Sequence, residues 1–184
     1  MSEIEFFDTE SVATGAVGEP GARAFYLQAR NADAQLTVLV EKEQIALLAK
    51  EAGAFLDRLA EEFPEDASPV PLERAGLREP TVPLFRARLI GLGFDPDRGL
   101  VLIELREHAS SDLDEGDDGS VAEPDPDPDP DEMDAGYVAR IYATRPQVRA
   151  LIELGDRVVA AGRPPCPLCG MPMDPAGHRC PRWN

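Results

Sequence analysis

The sequence has no long apolar run, so no segment supplies the roughly 20 consecutive apolar residues a membrane-spanning helix needs. Only two lysines occur, Lys42 and Lys50, and every other basic side chain except the histidines is arginine. That bias reads as GC-rich codon usage, which bears on source and not on mechanism. The two histidines are His108 and His178. No Ser-His-Asp ordering, Gly-x-Ser-x-Gly elbow or P-loop is present. Gly91-Leu92-Gly93 lacks the third glycine and the following helix of a dinucleotide fingerprint. The opening Met1-Ser2-Glu3-Ile4-Glu5 has no basic stretch leading into an apolar one, so a secretory signal is not expected and a cytoplasmic location is.

Cysteine is scarce but concentrated. All three lie in the last nineteen residues, as Cys166-Pro167-Leu168-Cys169-Gly170 and Cys180, with His178 between the second and third. Cys-x2-Cys-x8-His-x-Cys is a ligand set and spacing that tetrahedral zinc takes in small structural sites. Gly170 frees the turn that lets both sulfurs of the first pair face one ion. A reducing compartment fits such thiols better than a disulfide framework does. The expected cofactor is therefore structural Zn2+, held by Cys166, Cys169, His178 and Cys180. If His178 were not a ligand, three thiolates would leave an open position of the kind catalytic zinc requires.

The net charge of −17 is unevenly spread. Twelve acidic and no basic residues fall between Asp112 and Asp134, whereas Ala135–Asn184 holds seven arginines against three acids. Alternating Asp-Pro from Asp125 to Asp131 removes backbone donors and sets like charges side by side, so a disordered, extended insertion is expected over about 107–134. An acidic balance disfavours nucleic acid as a partner. The arginine-bearing end, Arg163, Arg179, Arg182 and Trp183, leaves weak contact there as one alternative.

Periodicity indicates an α+β body of two similar β-β-β-α units with antiparallel sheet, the first over 1–64 and the second over 80–162. A zinc module over 163–184 follows. Strands are expected at Ala24–Arg30, Leu36–Val40, Val101–Arg106 and Tyr137–Tyr142. Another is read from the alternation of Phe85, Ala87 and Leu89 with Arg86 and Arg88. Ile45, Leu48, Ala52, Phe55, Leu56, Leu59 and Phe63 make the apolar stripe of a first helix. Val148, Leu151, Ile152, Gly155, Val158 and Val159 make that of a second, with Thr144 as N-cap and Gly162-Arg163-Pro164 as terminator. Gln44-Ile45 and Gln147-Val148 stand at matching places near the two helix starts.

Arg86 and Arg88 on one strand face, with Arg140 nearby, form a candidate anion patch. They motivate an alternative reading as an enzyme acting on an anionic or phosphorylated small molecule. The leading expectation is a non-enzymatic binding or adaptor protein with an unknown protein partner, its tail locked by zinc.

Two runs carry a family resemblance. Gly15-Ala16-Val17-Gly18-Glu19-Pro20-Gly21, continuing through Arg23 and Phe25 to Arg30, is one. The other runs from Ala160-Ala161-Gly162-Arg163-Pro164-Pro165-Cys166 through Gly177-His178 and Cys180-Pro181-Arg182. In both, the chain resembles the domain of unknown function 3090, an actinobacterial family of conserved repeat proteins with no assigned activity. The resemblance implies a cytoplasmic bacterial zinc protein, encoded beside histidine-phosphatase-like and kinase-like proteins. It implies no reaction.

Overall fold

The computed structural model describes residues 2–64, 68–72, 75–108, 136–173 and 177–183. They form a mixed α+β protein with two four-stranded sheets and two helices. In chain order these are β1 Ser2–Phe6, β2 Ser11–Val17, β3 Ala24–Arg30, β4 Gln35–Val40 and α1 Lys42–Glu62. They continue with β5 Phe85–Arg86, β6 Leu89–Asp95, β7 Leu100–Arg106, β8 Tyr137–Ala143 and α2 Arg145–Ala160. The Asp-Pro insertion lies outside the described residues, apart from Glu107 and His108 at its start.

The two sheets share one plan. One has the order β2-β3-β4-β5 and the other β6-β7-β8-β1. In each, three antiparallel strands precede a helix, and a fourth strand joins in parallel beside the third. That fourth strand comes from the opposite half of the chain: β1 lies along β8, and β5 along β4. Each half of the chain thus includes three successive antiparallel strands followed by a helix, but the two halves are not self-contained in space. They exchange a strand, and their buried residues make one continuous core.

The structure corrects the reading of residues 85–89 as one strand. The Ala87 amide donates to Leu39 O in one sheet, and the next amide, Arg88, donates to Arg106 O in the other. The chain crosses between sheets at that peptide. Phe85 and Ala87 alternate inward as the pattern requires, but Leu89 already belongs to β6 and is exposed. Alternation reports which side chains face the core, and a core shared by two sheets cannot distinguish one strand from two.

Both helices begin as their sequences indicate. Thr144 caps α2, with Gln147 N donating to Thr144 Oγ1 at 3.4 Å and Thr144 N donating to Gln147 Oε1 at 2.8 Å. At α1 the Glu41 amide donates to Gln44 Oε1 at 2.8 Å. The other end of each glutamine amide reaches across the molecule. Gln147 Nε2 donates to Thr9 O at 2.6 Å, just before β2, and Gln44 Nε2 to Ala87 O and Arg88 O at 3.2 Å, just before β6. Each helix start thus pins the first antiparallel strand of the other half. The matching Gln-Ile and Gln-Val dipeptides mark these two staples.

The outer face of the first sheet is covered by the connection between halves. Gln28 exchanges both amide bonds with the Arg78 backbone, at 2.9 and 2.8 Å. Leu77 sits over Gly15, where a Cβ would come within 2.6 Å of Leu77 Cδ1. The outer face of the second sheet carries an ion-pair network. Glu104 accepts from Arg106 Nε and Arg140 Nε at 2.8 Å each, and Arg140 also reaches Glu3 at 3.3 Å across the β1–β8 pairing. Partial burial works to raise the Glu104 pKa, but the hydrogen bonds from Arg106 and Arg140 outweigh it and hold the carboxyl below its ordinary range. A depressed carboxylate stabilises the fold above its unfolded pKa and loses that contribution as pH falls through the folded value. Glu104→Gln should therefore cost about 1 kcal/mol at pH 7. The difference from wild type should vanish in denaturant titrations well below pH 4. An unchanged gap at low pH would show that Glu104 acts by packing and not by charge.

Candidate metal centre

Beyond α2, Gly162-Arg163-Pro164-Pro165 leads directly into a tight hairpin. Pro165 and Pro172 face each other across a β-bridge. The Cys166 amide donates to Met171 O at 2.8 Å, Gly170 N to Cys166 O at 2.8 Å, and Met173 N to Pro164 O at 2.9 Å. Gly170 has φ +74°, a left-handed conformation that disfavours any side chain and closes the Cys-x2-Cys turn. Residues 177–183 return the chain so that His178 and Cys180 meet the turn.

The four donor atoms of Cys166, Cys169, His178 and Cys180 all lie within 4.8 Å of one another. Cys166 Sγ is 3.9 Å from Cys180 Sγ, and Cys169 Sγ is 3.7 Å from His178 Nε2. A tetrahedron with metal–sulfur distances of ~2.3 Å has edges of about 3.8 Å. The sulfurs are far outside disulfide bonding and all three cysteines are free. The amides of Cys169 and Leu168 point at Cys166 Sγ and lower its pKa to about 6. The thiolate, the form that binds metal, is thus prepared by the turn itself. Burial acts the other way on Cys169 and raises its pKa. Soft thiolates with one imidazole form a donor set suited to a thiophilic ion.

The module is seated on the body. Arg23 donates through Nη1 to Ala161 O at 2.8 Å, at the end of α2. The Arg163 guanidinium packs on Gly21, whose Cα hydrogen side leaves about the room of one contact, with a Cβ there 3.4 Å from Arg163 Cζ. Pro172 of the hairpin shares a cavity of about 290 Å³ with Pro20, Gly21, Arg23 and Lys42. The Gly18–Arg23 turn and the Gly162–Arg163 link, the two runs that carry the resemblance, therefore meet in space.

The remaining candidate residues are not brought together as expected. Arg86 lies on β5 and pairs with Glu41 at 2.6 Å, whereas Arg140 lies on the other sheet with Glu104 and Glu3. Arg88 follows the crossing peptide and faces a third place. The three arginines do not make one anion patch, because the chain changes sheets between Arg86 and Arg88. At the metal end, Arg182 donates to Leu168 O at 3.2 Å and braces the Cys-x2-Cys turn. Arg179 is exposed, and Trp183 is 78% exposed.

The sequence reading missed a cleft of about 380 Å³ between α1 and β6. Its apolar wall is Leu47, Leu48, Phe55, Ile90 and Leu92, and Arg58 and Arg88 stand at it. The available signal was Leu47, an apolar residue off the buried stripe of α1 and 58% exposed. β1 was missed too. Ile4 and Phe6 alternate with Glu3 and Glu5, and that alternation is the strand signal there.

Among described residues no helix is long and apolar enough to cross a membrane. A family model described as a protein of unknown function, DUF3090, matches residues 4–180, nearly the whole chain. No curated protein and no solved structure matches it.

Proposed function

We propose that this chain, which belongs to the DUF3090 family, is a non-enzymatic binding or adaptor protein whose C-terminal module is locked by a structural zinc ion. The observation that carries the reading is the closed donor set. Four donor atoms within 4.8 Å of one another are enough to fill a tetrahedral shell without water. Catalytic zinc normally has three protein ligands and keeps the fourth position for water or substrate. The role of Cys166, Cys169, His178 and Cys180 is then to hold the tail in one shape, and Arg182 and the Arg23–Ala161 contact transmit that shape to the body.

The α1/β6 cleft favours binding over turnover. Its lining supplies two guanidiniums, one carboxylate (Glu51) and an apolar wall. That composition suits recognition of an amphipathic anion more than a paired acid and base. The partner is a protein, and the ligand end of the molecule is the cleft and not the metal.

Elemental analysis of protein purified without chelators tests the metal reading. About one zinc per chain is expected. A content near zero, or iron in zinc's place, defeats the assignment.

A further inference from the structure

The two helix-on-strand crossings that the shared plan makes equivalent are packed differently. α2 lies along β2, and its Gly155 lets the helices close: a Cβ there would stand 3.2 Å from Ile45 Cγ2 and 3.7 Å from Thr14 Cγ2. α1 touches β6 far less. The reason is side-chain bulk. β2 and β6 are both seven residues long, and their second, fourth and sixth residues are Val12, Thr14 and Ala16 in one but Ile90, Leu92 and Phe94 in the other. The larger set holds α1 off the strand and opens the cleft of about 380 Å³.

β6 is also the outermost strand of its sheet, with no strand on its far side among the described residues. Alternate N–H and C=O groups along an antiparallel edge point outward and can accept another strand. Gln44 occupies the carbonyls of Ala87 and Arg88 at the near end, which leaves Leu89–Asp95 as the open stretch. A strand added there, about 4.8 Å further out, would pass over the exposed side of α1. It would cover Leu47, 58% exposed, and Leu89, 37% exposed. Arg58 on α1 and Arg88 before β6 flank its path. Both are exposed, and neither has a carboxylate partner among the described residues.

We propose that the α1/β6 cleft binds an extended acidic segment of a partner protein, which adds to the edge of β6 as a fifth strand. Its alternate apolar side chains enter the cleft, and its carboxylates meet Arg58 and Arg88. Backbone pairing supplies the affinity in such strand addition, and side-chain pockets supply the choice of sequence. The occupant is acidic because Arg58 and Arg88, which have no carboxylate partner among the described residues, outnumber the one lining carboxylate, Glu51, and would repel a basic strand. It is extended because the free groups are those of a strand edge. This deepens the binding-protein reading and does not depend on the metal, so each can fail without the other.

The test uses the full chain and three fluorescein-labelled twelve-residue peptides followed by anisotropy. One alternates valine and glutamate, the second is the same sequence with alternate backbone amides methylated, and the third alternates valine and lysine. The acidic peptide should bind about tenfold or more tightly than either of the others. Affinity should fall about tenfold or more in the R58E/R88E variant and in L47E, but hold in R157E, a charge reversal on α2. Circular dichroism and an unchanged melting temperature establish that each variant is folded. Equal binding of the acidic and methylated peptides would mean ion pairing without strand addition, and would overturn the proposal. Unchanged affinity in R58E/R88E, or no saturable binding of the acidic peptide, would do the same. So would a concentration-dependent dimer abolished by L47E, because the edge would then be taken by a second copy of the chain.

Discussion

Replacing Cys166 by serine is expected to abolish stoichiometric zinc and unravel residues 163–183 while leaving the body folded. Cys166 is the buried member of the cluster, its sulfur receives the turn amides, and its backbone makes two of the hairpin's bonds. A serine hydroxyl is neither soft nor ionised near neutrality, so affinity should drop on the order of 100-fold or more. Among the described residues, the hydrophobic cluster between the two sheets and helices includes none from the metal module, so limited proteolysis should cut the tail without exposing the sheets. The pH dependence follows from the same geometry. A thiol lowered to about 6 is already ionised at pH 7, so protons compete for Cys166 only as pH falls through that value. Cys169, raised by burial, must give up its proton on metal binding at neutral pH. Zinc titration at pH 7 in buffers of different ionisation enthalpy should detect that proton release. A C166S protein that keeps one zinc per chain would sink the structural role.

Ile141→Ala should cost about 2–5 kcal/mol and lower the melting temperature by roughly 5–15 °C. Ile141 is fully buried on β8, which has a neighbour on both sides. Phe6 pairs with it in parallel from β1, and Ile103 in antiparallel from β7. The removed methyl groups therefore leave a cavity between the exchanged strand and the sheet that receives it, where neither side can collapse without breaking a ladder. The measurement is chemical denaturation followed by circular dichroism. A loss below about 1 kcal/mol would mean that β1 is not seated on β8, and the exchange of strands would fall with it.

The elements whose signal is local were legible. The capping pattern at Thr144-Arg145-Pro146-Gln147 and the spacing of Val148, Leu151 and Gly155 define α2 without reference to anything else. The Cys-x2-Cys turn and the His-x-Cys return likewise define the donor set, since ligand spacing and glycine placement are properties of a short stretch of chain. What was not legible depended on partners distant in sequence. The alternation of Phe85 to Leu89 is genuine, yet its two halves serve different sheets. Arg86, Arg88 and Arg140 look alike in sequence, yet Glu41, Glu104 and Glu3 claim two of them and the crossing peptide turns the third toward the cleft.

Sequence alone determined the make-up of the Cys/His cluster, the start of α2 at Thr144 and the buried stripe of each helix. These follow from side-chain chemistry, capping and periodicity within a few residues. Tertiary structure decided which sheet each strand joins, that β1 and β5 trade places, and that one helix crossing closes on Gly155 while the other stays open over Ile90 and Leu92. Those outcomes turn on the fit of side chains tens of residues apart, and no local pattern encodes how much room two bulky surfaces leave when they meet.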